Sequence, residues 1–454
     1  MVTRIFIMNR VGSSVAELAI TPRQDLWDWV IVCAIFLGIG TLAFVSLRTQ
    51  LFDHWVELAR QGQWSSLLLR PTILWVSMGT LLLAFRTLLW LKYRPFPPEN
   101  AADAPLLTVV IPAYNEGRMV EKSIESIVRA DYPRHRLQVI VIDDGSRDDT
   151  WTYIERAGRC HPGLVTVRFD KNRGKRAALA EGFRRAQGDV VVTIDSDSVI
   201  ERGTLLAIVG PFRDPRIGAV AGKVAVYNRY SGLLPRMLHV RFTLSFDFLR
   251  SAQSTYGTVY CCPGALAAYR ASVVRKVMER WENQRFLGIP CTFGEDRALT
   301  NCILAEGYDT VYQKTAVVHT VVPETYVRLC KMYLRWDRSY VREELRFAKI
   351  VWKRPLFPRL IAIFDTTITN CRFPIAYTAL VLFVAYSIQD PMTLLRMLIG
   401  IGAVSTFYML YYLKSERSWD FVFGVAYSYF SFFTLLWIFP YAVLTVRARS
   451  WLTR

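Results

Sequence analysis

Apolar and polar residues alternate along this chain on two length scales. Near the ends they form long blocks. Residues 26–47 are almost wholly apolar, with Asp28 near the start, and residues 73–91 form a second block that contains Arg86. Each block is long enough to cross a bilayer as a helix, and the first is too long for a signal-peptide core. Two more blocks cover 373–388 and 393–413, and a third, 419–446, is longer than one crossing requires and contains Pro440. A broken or re-entrant hairpin near Pro440 is expected there. In the middle of the chain the pattern shortens. β-rich runs occupy 107–111, 137–142, 164–169 and 190–194, with helical patterns at 116–129, 149–159 and 175–187 between them. Strands alternating with helices predict a parallel α/β sheet. Amphipathic helical stretches at 233–250 and 324–349 are expected beside the bilayer.

The run Val190-Val191-Val192-Thr193-Ile194 leads straight into Asp195-Ser196-Asp197-Ser198. It reads as a strand buried on both faces, with two carboxylates at its C-terminal end, where open α/β sheets bind ligands. Two acids at i and i+2 can hold a hard cation such as Mg²⁺ or Mn²⁺ together with substrate phosphates. A solvated Asp-Ser turn after a core strand is the alternative. The other strand ends are polar too: Tyr114-Asn115-Glu116, Asp143-Asp144-Gly145-Ser146 and Lys171-Asn172. Four such loops on one sheet edge make a nucleotide site. Neither GxGxxG nor GxxxxGK[ST] occurs at these strand ends, which argues against a dinucleotide fold and a P-loop.

Charge decides between partners. The 454 residues carry a formal charge of +18, and 52% of them are hydrophobic. With long apolar blocks present, that charge favours lipid over nucleic acid, and no nucleic-acid partner is expected. Basic residues flank both ends of the first hairpin (Arg4, Arg10 and Arg23 before it, Lys92 and Arg94 after it) and place the N-terminus and the sheet in the cytoplasm. Arg86 is either a functional intramembrane charge or a side chain snorkelling to the interface. The 8 cysteines form no CxxC pair and read as reduced thiols without a zinc site.

The series 111–116 (Ile-Pro-Ala-Tyr-Asn-Glu), 143–146 (Asp-Asp-Gly-Ser), 171–175 (Lys-Asn-Arg-Gly-Lys) and 195–197 (Asp-Ser-Asp) resembles the family-two glycosyltransferases with the GT-A fold. The likeness continues through 293–297 (Phe-Gly-Glu-Asp-Arg) and 334–340 (Leu-Arg-Trp-Asp-Arg-Ser-Tyr). It is similar in particular to hyaluronan synthases and chitin-oligosaccharide synthases. The resemblance implies an α/β GT-A-like nucleotide-sugar-binding domain inserted between N-terminal and C-terminal transmembrane helices. The expected division is a tail and two membrane helices at 1–98, a cytoplasmic GT-A domain at 99–322, interface helices at 323–372 and C-terminal membrane helices at 373–454.

The same resemblance assigns roles. Tyr114 and Glu116 line a uracil pocket, Asp144 contacts the uridine, and Lys175 reaches a phosphate, its alternative being a solvated helix start. Asp197 is the direct metal ligand, for Mg²⁺ or Mn²⁺. Asp195 contacts the ribose or supports the metal. Asp296 is the general base and Glu295 its neighbour on the acceptor side; the alternative is a simple helix cap. Arg335 grips the pyrophosphate. Trp336 is a platform under the acceptor sugar or an interfacial anchor. Trp451, Thr453 and Arg454 resemble the Trp-Gly-Thr-Arg gating motif of processive synthases, with Leu452 in place of Gly. Two further departures are Met332, where the family has Gln, and Pro263, where hyaluronan synthases have Ser. Cys261 matches a family cysteine and could equally be a small buried hydrophobe. The implied protein is an inverting, processive enzyme of the plasma (inner) membrane. It polymerises a β-linked polysaccharide from UDP-sugars, the donors being UDP-N-acetylglucosamine with or without UDP-glucuronate. The partners are donor, growing polysaccharide and lipid bilayer. A non-processive transferase using a lipid-linked acceptor and a catalytically dead export subunit are the rivals.

Overall fold

Residues 70–448, and five isolated positions before them (Leu37, Phe44, Glu57, Gln61 and Gly62), are described by a computed structural model. Apart from Leu37 and Phe44, the apolar block at 26–47 lies outside the described residues, as do the gating-like residues Trp451, Thr453 and Arg454. Helix α1 (Pro71–Lys92) opens the stretch 70–448. Strand and helix then alternate: β1 (Leu107–Ala113), α2 (Met119–Val128), β2 (Leu137–Asp143), α3 (Thr150–Cys160), β3 (Leu164–Arg168), α4 (Lys175–Arg185) and β4 (Val190–Thr193). Next come β5 (Ser198–Ile200), α5 (Thr204–Val209), β6 (Ile217–Val226), α6 (Leu233–Thr243), α7 (Leu249–Ser254), β7 (Ala267–Arg270) and α8 (Ala271–Glu282). A short hairpin, β8 (Arg285–Phe286) and β9 (Ile289–Pro290), leads to α9 (Glu295–Ala305), β10 (Asp309–Thr320) and α10 (Tyr326–Ile350). The last elements are α11 (Leu356–Gln389), α12 (Met392–Glu416), α13 (Phe421–Thr434) and α14 (Ile438–Leu444).

The eight-stranded sheet runs β3-β2-β1-β4-β7-β6-β10-β5. The first four strands are parallel, as the alternation predicts. Strand β1 is buried along its whole length, and its side chains alternate between two apolar layers. Val109 and Ile111 pack with Ile124, Ile154 and Leu205 on one face, and Val110 packs with Ile142, Leu179 and Phe183 on the other. Each such fully buried aliphatic contributes about 1.5–3 kcal/mol. The chain steps outward from β1 through β2 to β3, then returns to the far side of β1 as β4. The loops after β1 and β4 therefore part and leave a crevice at the strand ends.

Beyond β4 the sheet is mixed, which the sequence reading did not foresee. Strand β7 runs antiparallel to both β4 and β6, β6 and β10 are parallel, and β5 is antiparallel to β10. Strands β6 and β7 are rich in Ala and Gly, which carry little β signal of their own. Packing fixes them instead: a Cβ on Gly218 would lie 2.6 Å from Ile303 Cγ2, too close for anything but glycine. Helix α2 begins at Met119, later than the expected 116, because Asn115 and Gly117 take φ of +52° and +54°.

Helices α1, α11 and α12 are each long and apolar enough to cross a membrane, and α13 with α14 forms one further bent pair, angled by 50°. The bend falls between Thr434 and Ile438, ahead of Pro440, which sits in the first turn of α14. An N–H is not needed there, so Pro440 does not itself break the helix. Helix α11 is 34 residues long and starts well before the apolar block at 373. The hydropathy pattern stops short because α11 carries polar residues that find partners. Arg86 Nε donates to Asp365 Oδ1 at 2.7 Å and its Nη2 to Thr369 Oγ1 at 2.7 Å. Arg86 is thus paired and ties α1 to α11. The sheet is tied to the helices in the same way. Fully buried Asp247 pairs with Lys314 at 3.0 Å, and Lys223 pairs with Glu416 at the end of α12 at 2.9 Å.

Candidate active site

Strand β4 ends in a tight turn, with Ser198 N–H donating to Asp195 O at 3.0 Å. The turn presents both carboxylates to the crevice. Asp195 Oδ1 accepts from Lys175 Nζ at 2.5 Å. Asp197 Oδ1 accepts from Ser198 Oγ and Thr320 Oγ1, each at 3.2 Å. Burial pushes the Asp197 carboxyl up to about 6; Asp195 adds to the rise and Lys175 opposes it. No group of three or more His, Cys, Asp or Glu among the described residues forms a self-sufficient metal cage. Two acids at a strand end, one with its charge disfavoured by the other, fit a divalent cation that takes its remaining oxygens from a ligand.

Lys175 opens α4 and is centred between four acids. The loop before it is pinned by Asp144, whose two oxygens accept from Arg173 N–H and Gly174 N–H at 2.7 and 2.8 Å. Gly145, at φ +71°, lets the β2 loop touch this one; a Cβ there would lie 2.6 Å from the Lys171 carbonyl carbon. Lys175 Nζ is also 3.3 Å from Glu295 Oε1. Burial pulls the ammonium down, but Asp195, Glu295 and Asp296 outweigh it and hold Lys175 charged. The solvated helix start is therefore excluded for Lys175.

Glu295 and Asp296 begin α9. Gly294 supplies the left-handed turn before them at φ +74°, and Trp281 Nε1 donates to Glu295 O at 2.8 Å. Asp296 Oδ1 accepts from Arg297 N–H at 2.7 Å. Its Oδ2 lies 3.4 Å from Gly264 N and 3.6 Å from Cys261 Sγ. Burial raises Asp296, and Glu295 adds to the rise. Burial raises Glu295 as well, but Lys175, Arg335 and Arg176 outweigh it, so Glu295 stays below the usual carboxylate range. Adjacent acids pushed apart in this way divide into one held ionised and one able to take a proton.

The other predicted site residues within 70–448 are Tyr114, Glu116, Arg335 and Trp336. Glu116 Oε1 accepts from Ser196 Oγ at 3.0 Å, joining the β1 and β4 loops, and Tyr114 lies half-buried in the same loop. Arg335, on α10, is among the charges acting on Glu295, which sets it on the acidic side of the site. Trp336 follows it, half-buried, with ring centroids 5.7 Å from Tyr333 and 6.1 Å from Phe242. Met332 is buried in the apolar layer, so its replacement of Gln is accommodated as packing.

Three participants escaped sequence reasoning. Thr320 ends a strand that was not predicted, and Trp281 reaches the site from α8, so neither had a local signal. Gly264 is the third. A Cβ there would lie 2.8 Å from Lys175 Nζ and 3.3 Å from Asp195 Oδ1. Gly264→Ala should leave the fold intact, since only the flexible end of Lys175 must move, yet lower transfer about tenfold by disturbing one charged contact. Wild-type rates with an unchanged Tm would show that the Lys175–Asp195 contact has slack.

Residues 108–278 match the family described as Glycosyl transferase family 2. An N-acetylglucosaminyltransferase of Azorhizobium caulinodans is 31% identical over 77% of this chain and 87% of that protein. One from Rhizobium meliloti is 30% identical over 82% of this chain and 89% of its own length. A hyaluronan synthase of Streptococcus pyogenes is 34% identical over 58% of this chain and 63% of that enzyme. Among solved structures, a mannosyltransferase of Pyrobaculum calidifontis, in complex with GDP-Man and Mn²⁺, aligns with a TM-score of 0.57 at 24% identity. That alignment covers 79% of this chain and 98% of the mannosyltransferase and supports the same fold.

Proposed function

Because the chain belongs to glycosyl transferase family 2, we propose that it is a membrane-embedded, inverting polymerase that builds a β-linked polysaccharide from UDP-sugars. The observation that carries this reading is the place of Lys175. Its ammonium is 2.5 Å from Asp195 and 3.3 Å from Glu295, linking the acids of the β4 turn to those of α9. A donor diphosphate on the first pair and an acceptor hydroxyl at the second would meet across it.

In this reading Tyr114, Glu116 and Asp144 hold the uridine, and Lys175 and Arg335 hold the diphosphate. Asp197, with Asp195 beside it, would hold Mg²⁺ or Mn²⁺, which when bound offsets charge on the departing diphosphate. Asp296 takes the proton of the acceptor hydroxyl as that oxygen bonds to the anomeric carbon. The bond from that carbon to the diphosphate breaks in the same displacement. Attack opposite the leaving group converts an α-linked donor into a β-linked product, with no covalent enzyme intermediate. Glu295, kept ionised, orients the acceptor. UDP-N-acetylglucosamine is the proposed donor, with or without UDP-glucuronate. The product would leave between the membrane helices, the site facing the cytoplasm of the plasma (inner) membrane.

Trp336 tests the polymerase part. A sugar ring has an apolar C–H face, and an indole offers a large rigid surface to it. Trp336→Ala should shorten or abolish polymer while UDP affinity, measured by calorimetry on monodisperse protein, stays within about twofold. Unchanged product length on a gel, with normal UDP affinity, would remove Trp336 from the acceptor site and favour a single-transfer enzyme.

A further inference from the structure

The polar residues of α11 take no part in the reaction as written, yet one of them closes a ring beside Asp296. Tyr340 Oη donates to Asn370 Oδ1 at 2.9 Å. Asn370 Nδ2 donates to Glu344 Oε2 at 3.2 Å and to Thr366 O at 2.9 Å, so the amide is fully engaged. Tyr340 and Glu344 are four residues apart on α10 and share a face. Both hold Arg297. Arg297 Nη1 donates to Glu344 Oε1 at 2.9 Å, and its guanidinium carbon lies 4.9 Å from the Tyr340 ring centroid. Arg297 is next to Asp296 in sequence and gives it the 2.7 Å backbone bond. Five residues before Asn370, on the same helix, Asp365 pairs with Arg86 of α1.

We propose that Asn370 is a positioning residue through which the membrane helix α11 places the Arg297 cation that acts on the catalytic carboxylate. Asn370 holds Tyr340 and Glu344, these hold the Arg297 guanidinium, and that cation, one residue along α9 from Asp296, acts on the carboxylate by its charge. This rests on Asp296 being the base, as read above. The chemistry of position 370 is specific. Tyr340 needs an acceptor and Glu344 needs a donor, and an amide supplies both in one plane. A carboxylate there would face Glu344 with like charge, and an apolar side chain would leave both groups unmatched. The charged and titratable groups around Asp296 are Glu295, Lys175 and Arg297, with Cys261 and Cys262 from the loop before β7 and Tyr269 from β7. Loosening Arg297 removes a cation from that set, and the carboxyl must then gain its proton at higher pH.

The test uses the full chain purified in lipid nanodiscs, with nucleotide release measured against pH. Asn370→Leu and the isosteric Asn370→Asp should each lower kcat about tenfold, the scale of one charge-assisted hydrogen bond. Donor KM should stay within about twofold, and the acid limb of the rate profile should move to higher pH. Adding Glu344→Gln to Asn370→Asp exchanges donor and acceptor across the contact and should recover most of the rate. Near-normal kcat in either folded single variant, or a loss of kcat with an unmoved acid limb, would overturn the assignment. Should Asn370→Leu fail to fold, Asn370→Asp and its double variant decide. The two readings fail separately. Normal transfer by Asp296→Asn overturns the base itself, whereas an inactive Asp296→Asn beside wild-type Asn370 variants overturns only the ring.

Discussion

Asp296→Asn is expected to lower sugar transfer about 10²–10⁴-fold, the usual contribution of a positioned acid or base, while nucleotide binding survives. The amide preserves the shape of the residue and can still accept the Arg297 N–H bond seen at 2.7 Å. What it cannot do is take a proton. Tyr114, Glu116 and Asp144, the proposed uridine contacts, follow β1 and β2 and do not belong to α9, so UDP affinity should barely change. The pH profile gives an independent check. Burial, then Glu295, raise the Asp296 carboxyl above its ordinary value. A base works ionised, so activity should be full above the raised value and fall as pH drops through it. The acid limb of kcat/KM should therefore lie above the range of an exposed aspartate, and it should vanish from the residual rate of the Asn variant. Near-normal transfer by Asp296→Asn would make the residue a local anchor for α9 and move the base elsewhere.

Chelation should abolish transfer, and Mn²⁺ or Mg²⁺ should restore it. The acids of the β4 turn motivate this. Asp197 is half-buried beside Asp195 and pushed up to about 6, so at neutral pH it is ionised against the cost of desolvation and of its neighbour. A divalent cation with diphosphate oxygens relieves that cost, whereas Lys175 supplies only one charge to the cluster. Asp197→Asn should weaken UDP binding in the presence of Mn²⁺ far more than in its absence, by calorimetry. Full activity in excess EDTA would leave Lys175 and Arg335 as the sole cations at the leaving group.

Much of this arrangement is written locally in the chain. The four parallel strands followed from apolar runs separated by helical patterns. The acids at 195, 197, 295 and 296 followed from polar residues set at the ends of such elements. Those signals survive because burying a continuous β-branched run or an amphipathic face needs only nearest neighbours in sequence. Membrane helices α11 and α12 were legible for the same reason, each carrying an apolar block.

What tertiary structure alone decided lies where partners are distant in sequence. Strands β6 and β7 are built from small residues and exist because glycines at 218 and 222 let Ile303 and Leu266 pack onto the sheet. Residues 365–372 of α11 read as polar, and the pairing of Asp365 with Arg86, 279 positions away, makes that charge compatible with an apolar setting. Gly264 and Thr320 enter the site from elements with no local signature. Most telling is Lys175. In sequence it is one cation at the start of a helix; folding sets it against Asp195 and Glu295, and that contact turns separate acidic motifs into one centre. Periodicity records burial along a single element, but a charge-assisted contact between elements depends on the three-dimensional path of the chain, which no short window of sequence contains.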